Sequence, residues 1–165
     1  MIDAFLDFAR VESGEEPCAE DPSGLAAEVA EDARRNGATI SVFSRIETPE
    51  AREVQLRRAS LKRCLTNLVD TAVRHGTRVA LSVRLARRFL EFTVEDDGPG
   101  ILPEQRELAT RPFTRLDESR NQDAGSGVGL GLSIAADIAR THGGSLALDE
   151  SPQLGGLRAT VLLPR

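Results

Sequence analysis

The spacing of apolar residues along the chain predicts three long helices. We expect the first to begin at an N-cap Ser23 and to stop at Gly37. The second is predicted from about Val54 to His75, with leucines on one face and polar residues on the other. The third covers residues 129–144, where a run of glycines passes into an apolar helical pattern.

Five shorter segments have the alternating or continuous apolar pattern of β-strands. They cover residues 38–44, 78–86, 89–98, 145–150 and 157–164. Arg87 and Arg88 separate the second segment from the third, which predicts a hairpin there. Strands that follow one another as hairpins, without a helix between them, indicate a fold in which strands and helices do not strictly alternate. We therefore expect the fold class α/β, of the α+β type. We expect a two-layer sandwich in which a mixed five-stranded sheet packs on the three helices.

Composition narrows the class of protein. With 165 residues, 28% charged and 40% hydrophobic, the chain is long enough to fold as one soluble domain. The net charge of -5 argues against a nucleic-acid partner, because such partners select clustered basic residues. Neither a bilayer-spanning apolar run nor a signal peptide is present, so we expect a cytoplasmic domain. Cys18 and Cys64 have no neighbouring ligand residues, and we assign them no role.

A carboxylate and two glycines follow the third predicted strand, in the segment EDDGPGI. A carboxylate beside backbone that lacks a Cβ is suited to accept a hydrogen bond from an exocyclic amine, such as that of adenine. Taken alone, a strand-ending acid before Gly-Pro-Gly is more often an ordinary turn. The segment therefore needs support from elsewhere in the chain.

Alternating glycines precede the third predicted helix and give that support. Gly127, Gly129 and Gly131 leave backbone N–H groups exposed at a helix amino terminus, where phosphate binds favourably. The segment GSGVGLGLSI is neither the phosphate-loop motif nor the dinucleotide motif, and it does not follow a predicted strand. A flexible linker is the alternative, although linkers rarely interleave glycine with valine and leucine.

Four segments in this order, NLVDTAVRHG, DDGPGI, RPFTRLD and GSGVGLGL, resemble the N, G1, F and G2 boxes of the ATP-binding catalytic domain of sensor histidine kinases. The resemblance covers residues 23–165 and is closest to the osmosensor-type branch. It implies a Bergerat ATP-binding fold, with ATP and Mg²⁺ bound between the second helix and a lid over residues 102–126. A polar segment of that length inside a compact domain independently favours a lid.

The resemblance also implies roles for individual residues. Asp97 would bind the adenine amine, Gly98 and Gly100 would let the base approach, and Ile101 would line its pocket. In the lid, Phe113 matches the family's aromatic residue and Arg115 matches an arginine that reaches the terminal phosphate. The segment that would cradle the phosphates consists of Gly127, Val128, Gly129, Leu130, Gly131 and Leu132.

On the second helix, Asn67, Thr71, Arg74 and His75 share one side. The family has asparagine at the positions of both Asn67 and Thr71, and the second asparagine is its magnesium ligand. A threonine hydroxyl can hold Mg²⁺, but it is about one bond shorter than the amide. Our hypothesis is weakened nucleotide binding and severely impaired phosphoryl transfer, and the alternative is a neutral or introduced substitution.

The resemblance divides the chain into two parts. Residues 1–17 resemble the end of a dimerisation and phosphotransfer hairpin plus a linker, and 18–165 form the ATP-binding domain. Neither His75 nor His142 resembles the phosphoacceptor, so we expect that histidine on a dimerisation domain outside this chain. Further expected partners are a response regulator and, in the intact protein, a second copy. Anchoring of a parent protein in the inner membrane stays open.

Two other functions stay open at this point. The domain could be a non-catalytic nucleotide sensor or docking module in which Thr71 has removed the chemistry. It could also be an anti-sigma-type serine kinase, a class with the same fold. The predicted helix in residues 1–12 argues against the second of these, because such kinases lack a preceding dimerisation hairpin.

Overall fold

The computed structural model describes residues 14–111 and 130–165. The predicted helix in residues 1–12, and the lid residues Phe113 and Arg115, lie outside the described residues. The same holds for Gly127, Val128 and Gly129.

Four helices and seven strands make up the described part of the chain. The helices are α1 (Pro22–Arg35), α2 (Arg58–His75), the short α3 (Arg106–Ala109) and α4 (Gly131–Thr141). The strands are β1 (Cys18–Glu20), β2 (Ile40–Ile46), β3 (Val54–Leu56), β4 (Val79–Leu85), β5 (Phe89–Asp96), β6 (Ser145–Glu150) and β7 (Leu157–Pro164). Single 3-10 turns occur at Pro49–Ala51 and Pro103–Gln105. None of the helices in residues 14–111 and 130–165 has the length and apolarity to cross a membrane.

The main sheet has five strands in the order β2-β4-β5-β7-β6. Strands β2 and β4 run parallel, whereas the other neighbours pair antiparallel. The hairpin predicted at Arg87-Arg88 joins β4 to β5, and Ala86 N donates to Phe89 O at 2.9 Å across it. The predicted mixed five-stranded sheet is therefore confirmed.

Helices α1, α2 and α4 cover one face of this sheet and enclose the core. Phe92 and Leu81 from the sheet are fully buried, as are Leu65 and Leu68 from α2. Alternation along β5 turns Leu90, Phe92 and Val94 towards the helices, and Asp96 is the next residue on that side. The buried face of β5 thus ends in a carboxylate close to the end of α2.

The second helix is shorter than predicted, and the missing part is a strand. Val54–Leu56 forms β3, which pairs antiparallel with β1 at Cys18–Glu20. Val54 and Leu56 are buried while Gln55 is exposed, which is the two-residue period of a strand. A segment of three residues is too short for this period to be distinguished from the helical pattern that follows.

Asp21, and not the predicted Ser23, caps α1. The Asp21 carboxylate accepts a hydrogen bond from Ser23 N at 2.9 Å, and Pro22 occupies the first turn, where its missing N–H costs nothing. Ser23 Oγ is buried and has no partner among the described residues. Gly37 ends the helix as predicted, with a φ of 91° and its N–H bonded to Arg34 O.

Asp21→Ala should lower the free energy of unfolding by about 0.5–2 kcal/mol, because the first turn of α1 loses its cap. Ser23→Ala should change it by less, because that hydroxyl makes no hydrogen bond within the described residues. Urea unfolding of both variants measures the difference. If Ser23→Ala lowered the free energy of unfolding as much as Asp21→Ala or more, Ser23 would be the capping residue.

Candidate functional site

The amino terminus of α4 lies against the polar side of α2. A Cβ added at Gly131 would stand 2.9 Å from Thr71 Oγ1 and 3.9 Å from Asn67 Oδ1. Only glycine allows this approach, since the first distance is shorter than real Cβ contacts. The structure therefore brings Gly131 against two residues of another segment, Asn67 and Thr71.

The side chains of Asn67 and Thr71 both bond to the backbone of their own helix. Asn67 Nδ2 donates to Arg63 O at 2.9 Å, and Thr71 Oγ1 donates to Asn67 O at 2.8 Å. These bonds use the donor groups and leave oxygen lone pairs on the amide and on the hydroxyl. Oxygen is the ligand atom that Mg²⁺ prefers, so this pair fits a hard cation that also takes ligands from phosphate and water.

The fit matters because the described part of the chain offers little else to a metal ion. Within residues 14–111 and 130–165, no group of three or more His, Cys, Asp or Glu side chains is placed to hold one. A cation at this site would therefore depend on oxygens from its phosphate ligand, which is how Mg²⁺ is usually bound in nucleotide sites.

Asp96 is a buried carboxylate at the end of β5. Asp96 is only 3% exposed. Its Oδ1 accepts hydrogen bonds from Gly98 N at 2.9 Å and Leu157 N at 3.2 Å. Oδ2 takes part in neither bond. Burial raises the pKa of Asp96, while these two bonds and the nearby His75 act in the opposite direction. Asp96 thus holds one oxygen fixed by backbone and presents a second.

Two glycines let the backbone close around Asp96. A Cβ at Gly98 would come within 2.6 Å of His75 O, and one at Gly156 within 2.3 Å of Asp96 Oδ1. The first contact brings the end of α2 against the turn after β5, and the second brings the β6–β7 turn over the carboxylate. Gly98 is predicted from sequence for another reason, access for a base, and the only sequence signal for Gly156 is the turn that the pair Gly155-Gly156 marks.

Asp97 faces a different part of the molecule. Its two oxygens accept four hydrogen bonds, from N and Oγ1 of Thr77 at 2.7 and 2.8 Å and from N and Nε of Arg78 at 2.9 and 3.2 Å. These bonds, with the Arg78 N–H first, hold the pKa of Asp97 well below its usual range. Its carboxylate links the end of β5 to the loop between α2 and β4. Four hydrogen bonds already occupy most of its lone pairs.

The remaining candidates that the structure describes are Gly100, Ile101, Arg74, His75, Leu130 and Leu132. Gly100 has a φ of +71°, and Ile101 follows it half-buried. Arg74 and His75 are exposed on the last turn of α2. Leu130 is buried in the core, where its carbonyl accepts from Ile134 N at 2.9 Å, and Leu132 packs against the core. At Leu130, therefore, the backbone and not the side chain could face a ligand.

Comparison with known proteins identifies the family. Residues 57–165, two-thirds of the chain, match the model of the histidine kinase-, DNA gyrase B-, and HSP90-like ATPases. The chain belongs to this ATPase family. Sensor protein kinase CarS of Pseudomonas aeruginosa is 47% identical over 108 residues, and sensor histidine kinase CpxA of Escherichia coli K12 is 41% identical over 106 residues. The domain is the catalytic ATP-binding domain of sensor histidine kinases.

The solved structures agree with this assignment. The crystal structure of the ATP-binding domain of PrrB from Mycobacterium tuberculosis has a TM-score of 0.71 and 28% identity, and covers 90% of this chain and 97% of that one. The matches to CarS and CpxA cover 65% and 64% of this chain but only 23% of either relative. The ATPase family resemblance and the expected fold are thus both confirmed, while the chain corresponds to about a quarter of each whole kinase.

In this ATPase domain, Asp97 should contribute to stability in a pH-dependent way. Its folded-state pKa is lowered, so its contribution is complete above the ordinary Asp pKa of about 3.9 and is lost as pH falls through the lower folded value. Asp97→Asn should therefore destabilise the domain at pH 7 and reduce the difference between thermal unfolding at pH 7 and at about pH 3. An unchanged pH profile would contradict this role.

Proposed function

We propose that this domain binds Mg²⁺-ATP and donates the γ-phosphoryl group to a histidine on a dimerisation domain of the parent kinase. The observation that carries the proposal is the contact of Gly131, at the start of α4, with Thr71 and Asn67 on α2. It places a helix amino terminus beside two oxygen ligands, on the helix that ends near the buried Asp96. Membership of the ATPase family supports the same arrangement.

The adenine contact belongs to Asp96 and not to Asp97. An acceptor for the exocyclic amine needs a free lone pair that faces the helix layer, where Gly98 lies against His75 at the end of α2. Asp96 meets this requirement, since both of its hydrogen bonds fall on Oδ1. Asp97 makes four bonds to Thr77 and Arg78 instead. We keep Gly98, Gly100 and Ile101 as neighbours of the base.

The phosphates would lie at the amino terminus of α4. This helix has eleven residues, and its first N–H groups lack partners within the helix, so the backbone dipole favours an anion there. Gly131 allows the anion and α2 to approach each other. Gly127 to Gly129, Phe113 and Arg115 keep their predicted roles at the phosphates as part of this proposal.

Asn67 Oδ1 and Thr71 Oγ1 would hold Mg²⁺, with the other ligands coming from phosphate oxygens and water. The ion supplies neutralisation of charge on the transferred group. The residues of the chain bind and orient ATP: Asp96 fixes the base, α4 fixes the phosphates, and His75 and Arg74 stand at the exposed end of α2. Phosphoryl transfer depends mainly on such positioning.

Thr71 weakens this site at the metal position. Its hydroxyl already donates to Asn67 O, so the oxygen is held against the helix axis and reaches less far than an amide oxygen would. We expect Mg²⁺-ATP to bind with reduced affinity and the phosphoryl group to be transferred slowly. The chemical step is more sensitive than binding, because a misplacement of about 1 Å can cost about a hundredfold in rate.

The partners follow from the parent kinase. The phosphoacceptor histidine would lie on a dimerisation domain, in a homodimer, and a response regulator would receive the phosphoryl group. Residues 1–17 would be the end of the dimerisation hairpin and its linker, and residues 18–165 the ATP-binding domain. That the matched sensor kinases are about four times longer than the part they share with this chain supports a parent protein with further domains.

The two neighbouring acids give a matched test of the adenine site. Asp96→Asn should weaken ADP binding at least tenfold, because a carboxylate acceptor is replaced while the Oδ1 bonds to backbone can persist. Asp97→Asn should lower the melting temperature and leave the affinity for ADP within about twofold. Calorimetric titration of both variants decides between them, and the reverse order of effects would return the role to Asp97.

Thr71→Asn tests the metal position. ATP titrations with Mg²⁺ and with chelator should show that Mg²⁺ raises the affinity of the asparagine variant by about tenfold more than that of the unmodified chain. In chelator the two proteins should bind alike, which controls for a general change in the site. Equal Mg²⁺ dependence would contradict the impairment and would make Thr71 a sufficient ligand.

A further inference from the structure

A carboxylate from the linker caps α2. Glu15 accepts hydrogen bonds from Ala59 N at 2.7 Å, Ser60 N at 3.0 Å and Ser60 Oγ at 2.8 Å. Although burial acts to raise it, these bonds lower the pKa of Glu15 on balance. The N-cap residue of α2, Arg57, makes no side-chain cap of its own. The helix that carries Asn67 therefore depends for its cap on a residue more than forty positions earlier.

Arg57 connects the same linker to α4. Its Nε donates to Glu15 O at 3.1 Å, and its Nη1 donates to Thr141 O at 3.0 Å in the last turn of α4. Each charge stands at the helix end that favours it: the carboxylate at the amino terminus of α2, and the guanidinium at the carboxyl terminus of α4. We call Glu15, Arg57 and the Thr141 carbonyl the linker clamp.

The linker clamp and the nucleotide site occupy opposite ends of one helix pair. Thr141 lies by Arg57 at the start of α2, whereas Gly131 lies by Thr71 near the carboxyl end of α2, so α2 and α4 run antiparallel. Between the two ends the helices pack closely, and Cys64 Sγ donates to Ala135 O at 3.6 Å. A shift of α4 along α2 would alter both ends together.

We propose that the linker clamp sets the position of α4 on α2, so that docking of the linker strengthens nucleotide binding and nucleotide binding strengthens docking. Glu15 and Arg57 are positioning residues in this account, since they touch neither base nor phosphate. The inference rests on the proposed function, because it needs a nucleotide between α2 and α4. It adds that the segment joining this domain to the preceding residues is itself the element that reports nucleotide occupancy.

The coupling must be reciprocal. If docking of Glu15 raises the affinity for nucleotide by some factor, nucleotide must raise the docking equilibrium by the same factor. Coupling free energies between sites typically correspond to factors of about 5 to 150. The amides of Ala59 and Ser60, which Glu15 accepts from, report the docked state directly.

The test uses the 165-residue chain with ADP and Mg²⁺ as the probe. Glu15→Ala should weaken ADP binding at least about fivefold by calorimetry. Glu15→Gln keeps an oxygen acceptor but loses the charge, so its affinity should be intermediate. Glu16→Ala is the matched control, since Glu16 is the exposed neighbour of Glu15, and its affinity should equal that of the unmodified chain.

Hydrogen exchange separates coupling from a structural role alone. In the unmodified chain, ADP should slow exchange of the Ala59 and Ser60 amides by about the factor by which Glu15→Ala weakens ADP. In Glu15→Ala, ADP should not protect them. Equal ADP affinities for the unmodified chain and Glu15→Ala would overturn the coupling between the linker clamp and nucleotide binding. They would leave the proposed function unaffected. Failure of the unmodified chain to bind ADP overturns both.

Discussion

The close contact between α2 and α4 is the constraint on which the rest of the site depends. Gly131 touches Thr71 because it has no Cβ, and the buried face of both helices holds them on the sheet. This contact brings a helix amino terminus, an amide and a hydroxyl to one place. Without it, Gly131 and the polar side of α2 would lie apart.

The adjacent acids Asp96 and Asp97, at the end of β5 and directly after it, point to opposite sides of the sheet and make different contacts. Asp96 continues the buried side and lies under the Gly98 and Gly156 turns, whereas Asp97 points to Thr77 and Arg78 and stabilises the turn between α2 and β4. The burial that makes Asp96 suitable for recognition also raises its pKa. In the proposed site Asp96 would bind the base, whereas Asp97 stabilises the loop beside it.

The sheet and the helix layer could be predicted from sequence. The features that could not be predicted have physical causes. Alternation in β4 to β7 and the helical stripe of α2 depend on local period, so the sheet and helix layer were foreseen. The choice between Asp96 and Asp97 depends on which face of β5 meets the helices at the last residue, and the glycine motif did not settle it. The Glu15 cap, the Gly156 contact and the β1–β3 pair are made by residues distant in sequence.

In the proposed site, nucleotide lies between α2, the turn after β5 and the start of α4. The most direct measurement is a titration of ADP and Mg²⁺ into the ¹⁵N-labelled chain, followed through its glycine amides. We expect large, saturable shifts at Gly98, Gly100 and Gly131, and no change at Gly24 in α1 or at Gly37 after it. Saturable shifts that leave Gly98 and Gly131 in place, or that appear around α1, would contradict it.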